Sequence, residues 1–451
     1  MEDKKANVLM WLDNHRQEIV DLLIKLVNSK PVNGALSDRD NEIGVQRIIT
    51  NYLEELGMKV CNVPVDLSKL EKYRDLPGFI TGYTDQIDFT GRDNVFTKIE
   101  GSSQKRSMML VGHSDVVPVE DPEKWLYPPF NATVADEMVY GRGTVDMLSG
   151  IAGMLVAIKA MHENGVRLGG DLWFAGITGE ETGGTGMLAF SEYLRLMGAH
   201  IDAAVMGEPT DLQLSLLCRG IIWVDVEVYG KTGHLEVSQP HWSQGGVLNA
   251  IDKALYLHNA IQELNKDWAV RPDKKHKLLN LPCQVKLSKI NGGHHHSSYP
   301  DKCVLSYNIQ VLPGETDENG LGTSVKKEFE NYVRGIAECD PWLKLHPPKI
   351  NWLLEANCGE VPMEHPFVDT FMKSAQTVIK DIRLTGSEFH TDNEWPEKLA
   401  GIPTVNFGPG NPALAHNDNE RCSLSQLLDY SKMIACVSMD WCGEADEGGW
   451  E

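Results

Sequence analysis

Several features are missing from this chain. Its nine cysteines are scattered and include no CxxC pair. Such a set suits neither a zinc ribbon nor a disulfide scaffold, and reads as reduced, mostly buried thiols in a cytoplasmic protein. No window approaches the run of about 18 apolar residues that a membrane span requires. The first residues, MEDKKANVLMWLDNHRQ, carry charge where a secretory leader would be apolar, so no signal peptide is expected. Positive charge is in the minority, 42 Lys and Arg against 64 Asp and Glu, for a net charge of −22. That balance argues against nucleic acid and against an anionic membrane surface as partners. No internal repeat or low-complexity tract is found. What remains is a chain of 451 residues, 42% hydrophobic and 24% charged, ordinary for a globular protein and long enough for two domains.

Apolar periodicity organises the chain. Residues 8–28 place Val8, Leu12, Ile19, Leu23 and Val27 at helical spacing, and NEIGVQRIITNYLEELGM repeats the pattern with Gly57 as a C-cap. Short buried strands then alternate with helices. Strands are expected at 108–112, 171–177, 202–208 and 402–407, and helices at 149–163, 187–197 and 423–441. This alternation predicts an α/β fold with a mostly parallel, doubly wound sheet. Near residue 220 the period changes to two. WVDVEVY and CVLSYNIQV each put apolar residues on one face and polar ones on the other, with helices expected at 246–264 and 320–338. The order strand, helix, strand, strand, helix, strand predicts an inserted ferredoxin-like α+β domain. The expected division is 1–219, 220–355 and 356–451, the first and last segments together forming the larger domain.

Polar residues sit where the core strands should end. GHSDVVP supplies His113 and Asp115, GRGTVDM supplies Asp146, TGEETGGTG supplies Glu180 and Glu181, MGEPT supplies Glu208, and ALAHNDNE supplies His416. Singly, each has a plain structural reading: a core histidine, a helix cap, a solvated acidic pair. Together they fall at one edge of one predicted sheet, where open α/β sheets form their sites. Two histidines and at least three carboxylates, without thiolate, suit zinc, cobalt or manganese. Charge counting favours two ions. Two divalent cations, three ligand carboxylates and a bridging hydroxide sum to a neutral centre, which a partly buried site tolerates. One carboxylate is left over to act as general base on the bridging water and to protonate the leaving amine.

These blocks, with GRDNVF at 91–96 and GKTGH around His234, resemble the signatures of the metal-dependent amidohydrolase and exopeptidase family. That family includes acetylornithine deacetylase, succinyl-diaminopimelate desuccinylase, aminoacylase and the carnosine-type dipeptidases. The resemblance implies two divalent metal ions, zinc first. Asp146 would bridge them, with His113 and Glu208 on one and Glu181 and His416 on the other. It implies Glu180 as general base and Asp115 behind His113, accepting its second ring N–H. His234 would stabilise the oxyanion across a homodimer formed by the inserted domain, which also acts as a lid. The implied reaction is hydrolysis of a C–N bond in a small-molecule N-acyl amide or peptide-like substrate. The alternatives are a dipeptidase or an aminohydrolase acting on a neutral or aromatic amine, and, in another class, a binding protein that has lost turnover. The substrate-reading side departs from the family pattern. Gln310 stands where many members carry Arg, Ser297, Ser298 and Tyr299 stand near a usual Asn, and Phe389 and His390 precede Thr391 and Asp392 in place of glycines. Arg219, Lys302 and His294 to His296 are the alternative carboxylate-binding candidates. The His run itself reads as a loop or substrate contact rather than a third metal site.

Overall fold

The computed structural model describes residues 2–33, 40–74, 87–103 and 105–445. A nine-stranded sheet forms the base of the fold. Its centre is four parallel strands in the order Leu172–Ile177, Met108–His113, Ala203–Met206 and Thr404–Asn406. Every residue of Met108–His113 is buried. Met108 and Leu110 face one apolar core and Met109 and Val111 the other, so the strand is covered on both sides. Each such side chain contributes roughly 1.5–3 kcal/mol on burial. The first core is closed by the helices Arg16–Asn28, Leu148–Glu163 and Leu424–Cys442, the second by Thr185–Met197 and Glu394–Ala400.

Towards its flanks the sheet becomes mixed. Asn94–Ile99 runs antiparallel to Leu172–Ile177, and Val60–Val63 lies antiparallel beyond it. On the other side Leu214–Cys218 meets Thr404–Asn406 antiparallel, then pairs with Gly359–Glu360 antiparallel and with Leu384–Ser387 parallel. The parallel strands are those whose ends carry the polar clusters.

A second, wholly antiparallel sheet has the order Val285–Gly292, Lys302–Val311, Gly220–Tyr229, Lys349–Ala356. The chain order is the strand, helix, strand, strand, helix, strand expected of a ferredoxin-like unit, with helices Ala250–Trp268 and Thr323–Glu338. Val224, Val226 and Val228 lie opposite Tyr307, Leu305 and Cys303, and all six belong to the core beneath those helices. The alternation leaves Trp223, Asn308 and Gln310 on the other face, where they line a cleft against the large sheet.

One expected helix is two. The 8–28 pattern is served by Glu2–Asn14 and Arg16–Asn28, with His15 at φ −116°, ψ 22° between them. The His15 ring bonds to the Trp11 carbonyl at 2.8 Å and stacks on the Trp11 ring. Apolar spacing persists across the break because both helices dock on the same core. Among the described residues no helix is long and apolar enough to cross a membrane.

Candidate active site

The ends of the central parallel strands converge on one cluster. His113 closes its strand, Glu180 and Glu181 follow Ile177, Glu208 follows Met206, and Asp146 precedes the helix that starts at Leu148. His416, on the segment after Thr404–Asn406, completes it from above with a left-handed backbone, φ 59°. Potential ligand atoms fall within 4.8 Å of one another in three groups: His113, Asp146 and Glu208; Asp146, Glu181 and His416; and His113, Glu180 and Glu181. Asp146 joins the first two. One of its oxygens lies 3.0 Å from His113 Nε2 and the other 3.2 Å from His416 Nε2. Glu181 is 3.2 Å from His416 Nε2, and Glu208 is 3.7 Å from His113 Nε2. The peptide bond after Asp146 is cis.

The electrostatics are those of crowded acids. Burial, reinforced by neighbouring carboxylates against the pull of His113, lifts Glu180 and Glu208 well above the usual carboxylate range and raises Glu181. Burial disfavours charge on His416, but hydrogen bonds to Asp146 and Glu181 overcome it and hold the ring at about 11. Burial likewise opposes charge on Asp146, and the two imidazoles win, keeping it well below its ordinary value. Glu208 Oε1 is buried with no hydrogen-bond partner. Four acids around two imidazoles, with an unsatisfied oxygen aimed inward, fit divalent cations that take oxygen and nitrogen ligands.

Asp115 departs in detail from the expected arrangement. The His113 Nδ1 partner is the Asp115 backbone carbonyl at 2.9 Å, while the Asp115 carboxylate is 3.6 Å away. A carbonyl only accepts, so Nδ1 carries a proton and Nε2 is the nitrogen turned towards the Asp146 and Glu208 carboxylates. The carboxylate instead takes the backbone N–H groups of Glu180 and Glu181, each at 3.1 Å, and the Asn33 amide. It thereby fixes the loop that presents both glutamates.

Other supports escaped the sequence reading, although several lie inside the motifs that drew attention. Glu420, in HNDNE, accepts from the backbone N–H of Val145 and Asp146 and pairs with Arg142 of GRGTVDM at 2.6 Å. Glu42 accepts from Gly179 N–H at 3.1 Å and is paired with Arg92 of GRDNVF, both fully buried. Asp392 has both oxygens buried without a hydrogen-bond partner. Burial, then the charges of Asp115 and Glu181 against that of His113, raise it to about 7. Gly184 allows this approach, because a Cβ there would collide with the Asp392 carboxylate. An isolated carboxylate has no sequence signature that would separate these roles from surface solvation.

A cleft of about 650 Å³ opens over Asp146, Glu180, Glu181, Glu208 and His416, and its far wall is the exposed face of the four-stranded sheet. Gln310 lines it, but its amide is engaged: the oxygen accepts from Arg219 at 2.6 Å and from Gln284 N–H at 3.2 Å. Arg219 is buried and also paired with Glu388 at 2.5 Å, so it offers no charge to the cleft. Lys302 pairs with Glu227 at 3.1 Å, and His294, His295 and His296 are exposed outside the cleft lining. Lys286, which the sequence reading did not single out, lines the cleft. His234 does not join the cluster. It is exposed, bridged in the backbone to Ser298 of the SSYP turn, and outside the cleft lining.

The sequence profile described as peptidase family M20/M25/M40 matches residues 109–440. N-formyl-4-amino-5-aminomethyl-2-methylpyrimidine deformylase of Halalkalibacterium halodurans is 30% identical over 460 residues, covering 96% of this chain and 97% of that one. The protein of the same name from Bacillus subtilis is 28% identical, covering 99% of this chain and 100% of its own. Among solved structures, human carnosine dipeptidase 1 superposes with a TM-score of 0.73 at 15% identity, covering 97% of this chain and 99% of that one. The Saccharomyces cerevisiae dipeptidase Dug1p gives 0.74 at 14%, covering 98% and 99%. Sequence and site together define a metal-dependent hydrolase of C–N bonds. The chain belongs to the peptidase family M20/M25/M40.

Proposed function

We propose that this protein is a dinuclear amidohydrolase that releases a neutral aromatic amine from its N-acyl, most simply N-formyl, derivative. The observation that carries the dinuclear reading is the pair of ligand groups sharing Asp146. His113 and Glu208 would hold one ion and Glu181 and His416 the other, zinc first and cobalt or manganese next. When bound, such ions supply Lewis acidity and lower the pKa of coordinated water.

Glu180 remains as the free acid beside the cluster. Its position in the cleft wall suits a group that takes a proton from the attacking water and returns it to the departing nitrogen. The amide C–N bond breaks, the water oxygen joins the acyl carbon, and the amine leaves neutral after accepting the proton. Asp115 holds Glu180 and Glu181 in register through their backbone N–H groups. The aromatic-amine assignment is supported by the two relatives named for an N-formyl aminopyrimidine and by the engaged state of Gln310 and Arg219. A dipeptidase is the second reading, favoured by Lys286, whose ammonium could take a substrate carboxylate.

Metal analysis together with turnover tests this. Two ions per chain, activity abolished by chelation and restored by zinc, cobalt or manganese, and formate released from N-formyl aromatic amines are the expected results. Full activity in a verified metal-free preparation refutes the dinuclear reading. Turnover of dipeptides alone refutes the choice of substrate.

A further inference from the structure

The segment that follows Leu384–Ser387 forms part of the cleft wall. Phe389 and His390 both line the cleft, as does Trp223 of the four-stranded sheet. Trp223 is 38% exposed although it sits in a strand whose alternate residues are fully buried. Neither Trp223 nor Phe389 stacks on another ring among the described residues. Two unengaged aromatic faces in one cleft are suited to a flat aromatic guest.

The segment is held in place from outside the cleft. Glu388 accepts from the backbone N–H of Asn280 at 2.7 Å and Leu281 at 3.1 Å, and is paired with the buried Arg219. Gln310 Nε2 donates to the Glu388 carbonyl at 3.4 Å. Ser387 is hydrogen-bonded to Ser215 at 2.9 Å. Phe389 and His390 therefore hold their places before any ligand arrives, and a preorganised wall loses little entropy on binding.

His390 adds a directional element. Its Nδ1 is buried and has no hydrogen-bond partner. Burial pulls the ring down to about 4, against hydrogen bonding to the backbone of Arg219 and Asn357, so the imidazole is neutral at neutral pH. A neutral imidazole carries one acceptor nitrogen, and a buried Nδ1 without a partner is costly until a donor meets it.

We propose that Trp223, Phe389 and His390 form the leaving-amine subsite, and that it selects an aromatic amine whose ring carries an N–H donor. The ring lies against Trp223 and Phe389, and His390 Nδ1 accepts from the ring-borne amino group. This rests on the amidohydrolase reading above and adds the residues that choose the amine.

The test compares kcat/KM for the N-formyl derivatives of an aminopyrimidinylmethylamine, of benzylamine and of cyclohexylmethylamine. In the wild type, we expect benzylamine to exceed cyclohexylmethylamine, and the aminopyrimidine to exceed benzylamine, each by tenfold or more. Trp223→Leu and, separately, Phe389→Leu should lower the first ratio at least tenfold, mainly through KM. His390→Phe keeps an aromatic ring but no acceptor, and should lower only the second ratio. Calorimetric binding of the free aminopyrimidinylmethylamine should weaken in the same variants, a readout independent of turnover. Turnover of all three formamides with ratios that stay within threefold of one another, and are unmoved in the variants, overturns the subsite and leaves the amidohydrolase standing. Turnover of dipeptides and of no formamide overturns the amidohydrolase reading, and the subsite with it.

Discussion

Arg219 Nη1 donates to the amide oxygen of Gln310 at 2.6 Å, across the point where the chain passes from the large sheet into the four-stranded one. The arginine's charge is turned away from the cleft towards Glu388 and the carbonyls of Leu281 and Pro282. Gln310 lines the cleft, and its amide oxygen serves as an acceptor for a structural cation.

Weak discrimination between substrates with and without an α-carboxylate follows. A charged hydrogen bond contributes roughly 1.5–3 kcal/mol against about 1 for a neutral one. We expect kcat/KM for an N-acyl amino acid to stay within about tenfold of that for its carboxamide, the factor that about 1.4 kcal/mol represents. A preference above about 100-fold for the free acid, lost in Gln310→Ala, would sink this expectation, since about 2.7 kcal/mol would then depend on that side chain.

Removing the proposed base should separate chemistry from metal binding. Glu180→Gln keeps size and hydrogen bonding but cannot take a proton. It should retain its metal content by elemental analysis and lose at least about 10²-fold in kcat. A parallel fall in metal content would instead assign to Glu180 the ligand role proposed for Glu181.

Assembly tests the role proposed for His234. The residue is exposed and stands apart from the cleft lining of its own chain, and action from a second copy is the role to be tested. Mixing inactive Glu180→Gln and His234→Ala subunits should recover part of the activity. Absence of recovery, where labelled subunits demonstrably exchange, counts against action in trans.

Stability should fall as pH rises through neutrality. Glu394 is buried, with one oxygen unpartnered. Burial, opposed by the charge of Lys398 and aided by that of Asp392, lifts it from 4.5 to about 8. Between those values the folded chain keeps a proton that the unfolded chain has released. Its contribution is therefore complete below the lower value and is lost as pH climbs to the upper one. Glu394→Gln, which cannot ionise, should flatten the Tm profile between about pH 5 and pH 8, where the native and unfolded carboxyls differ in protonation. An unchanged slope in that variant would remove Glu394 as the source.

The sequence by itself determined the central strands and the residues at their ends. Apolar runs such as MMLV can be buried on both faces in few ways, and a polar residue ending such a run must lie at the sheet's edge. His113, Glu180, Glu181 and Glu208 were legible for that reason and Asp146 from its place just before a helix, and the two-residue period of CVLSYNIQV likewise showed which face of the small sheet is polar. Tertiary structure alone decided what those polar groups meet. Arg219 and Gln310 are 91 residues apart, and Glu420 reaches Val145 across 275. Nothing local distinguishes a buried arginine committed to a glutamine from one facing substrate. The choice of the Asp115 carbonyl over its carboxylate by His113 is a matter of less than an ångström. The antiparallel flanks of the large sheet, the break at His15 and the exposure of Phe389 and His390 to the cleft depend in the same way on which distant surfaces pack together. Those contacts are set by the whole fold's competition for burial, and no single stretch of residues records them.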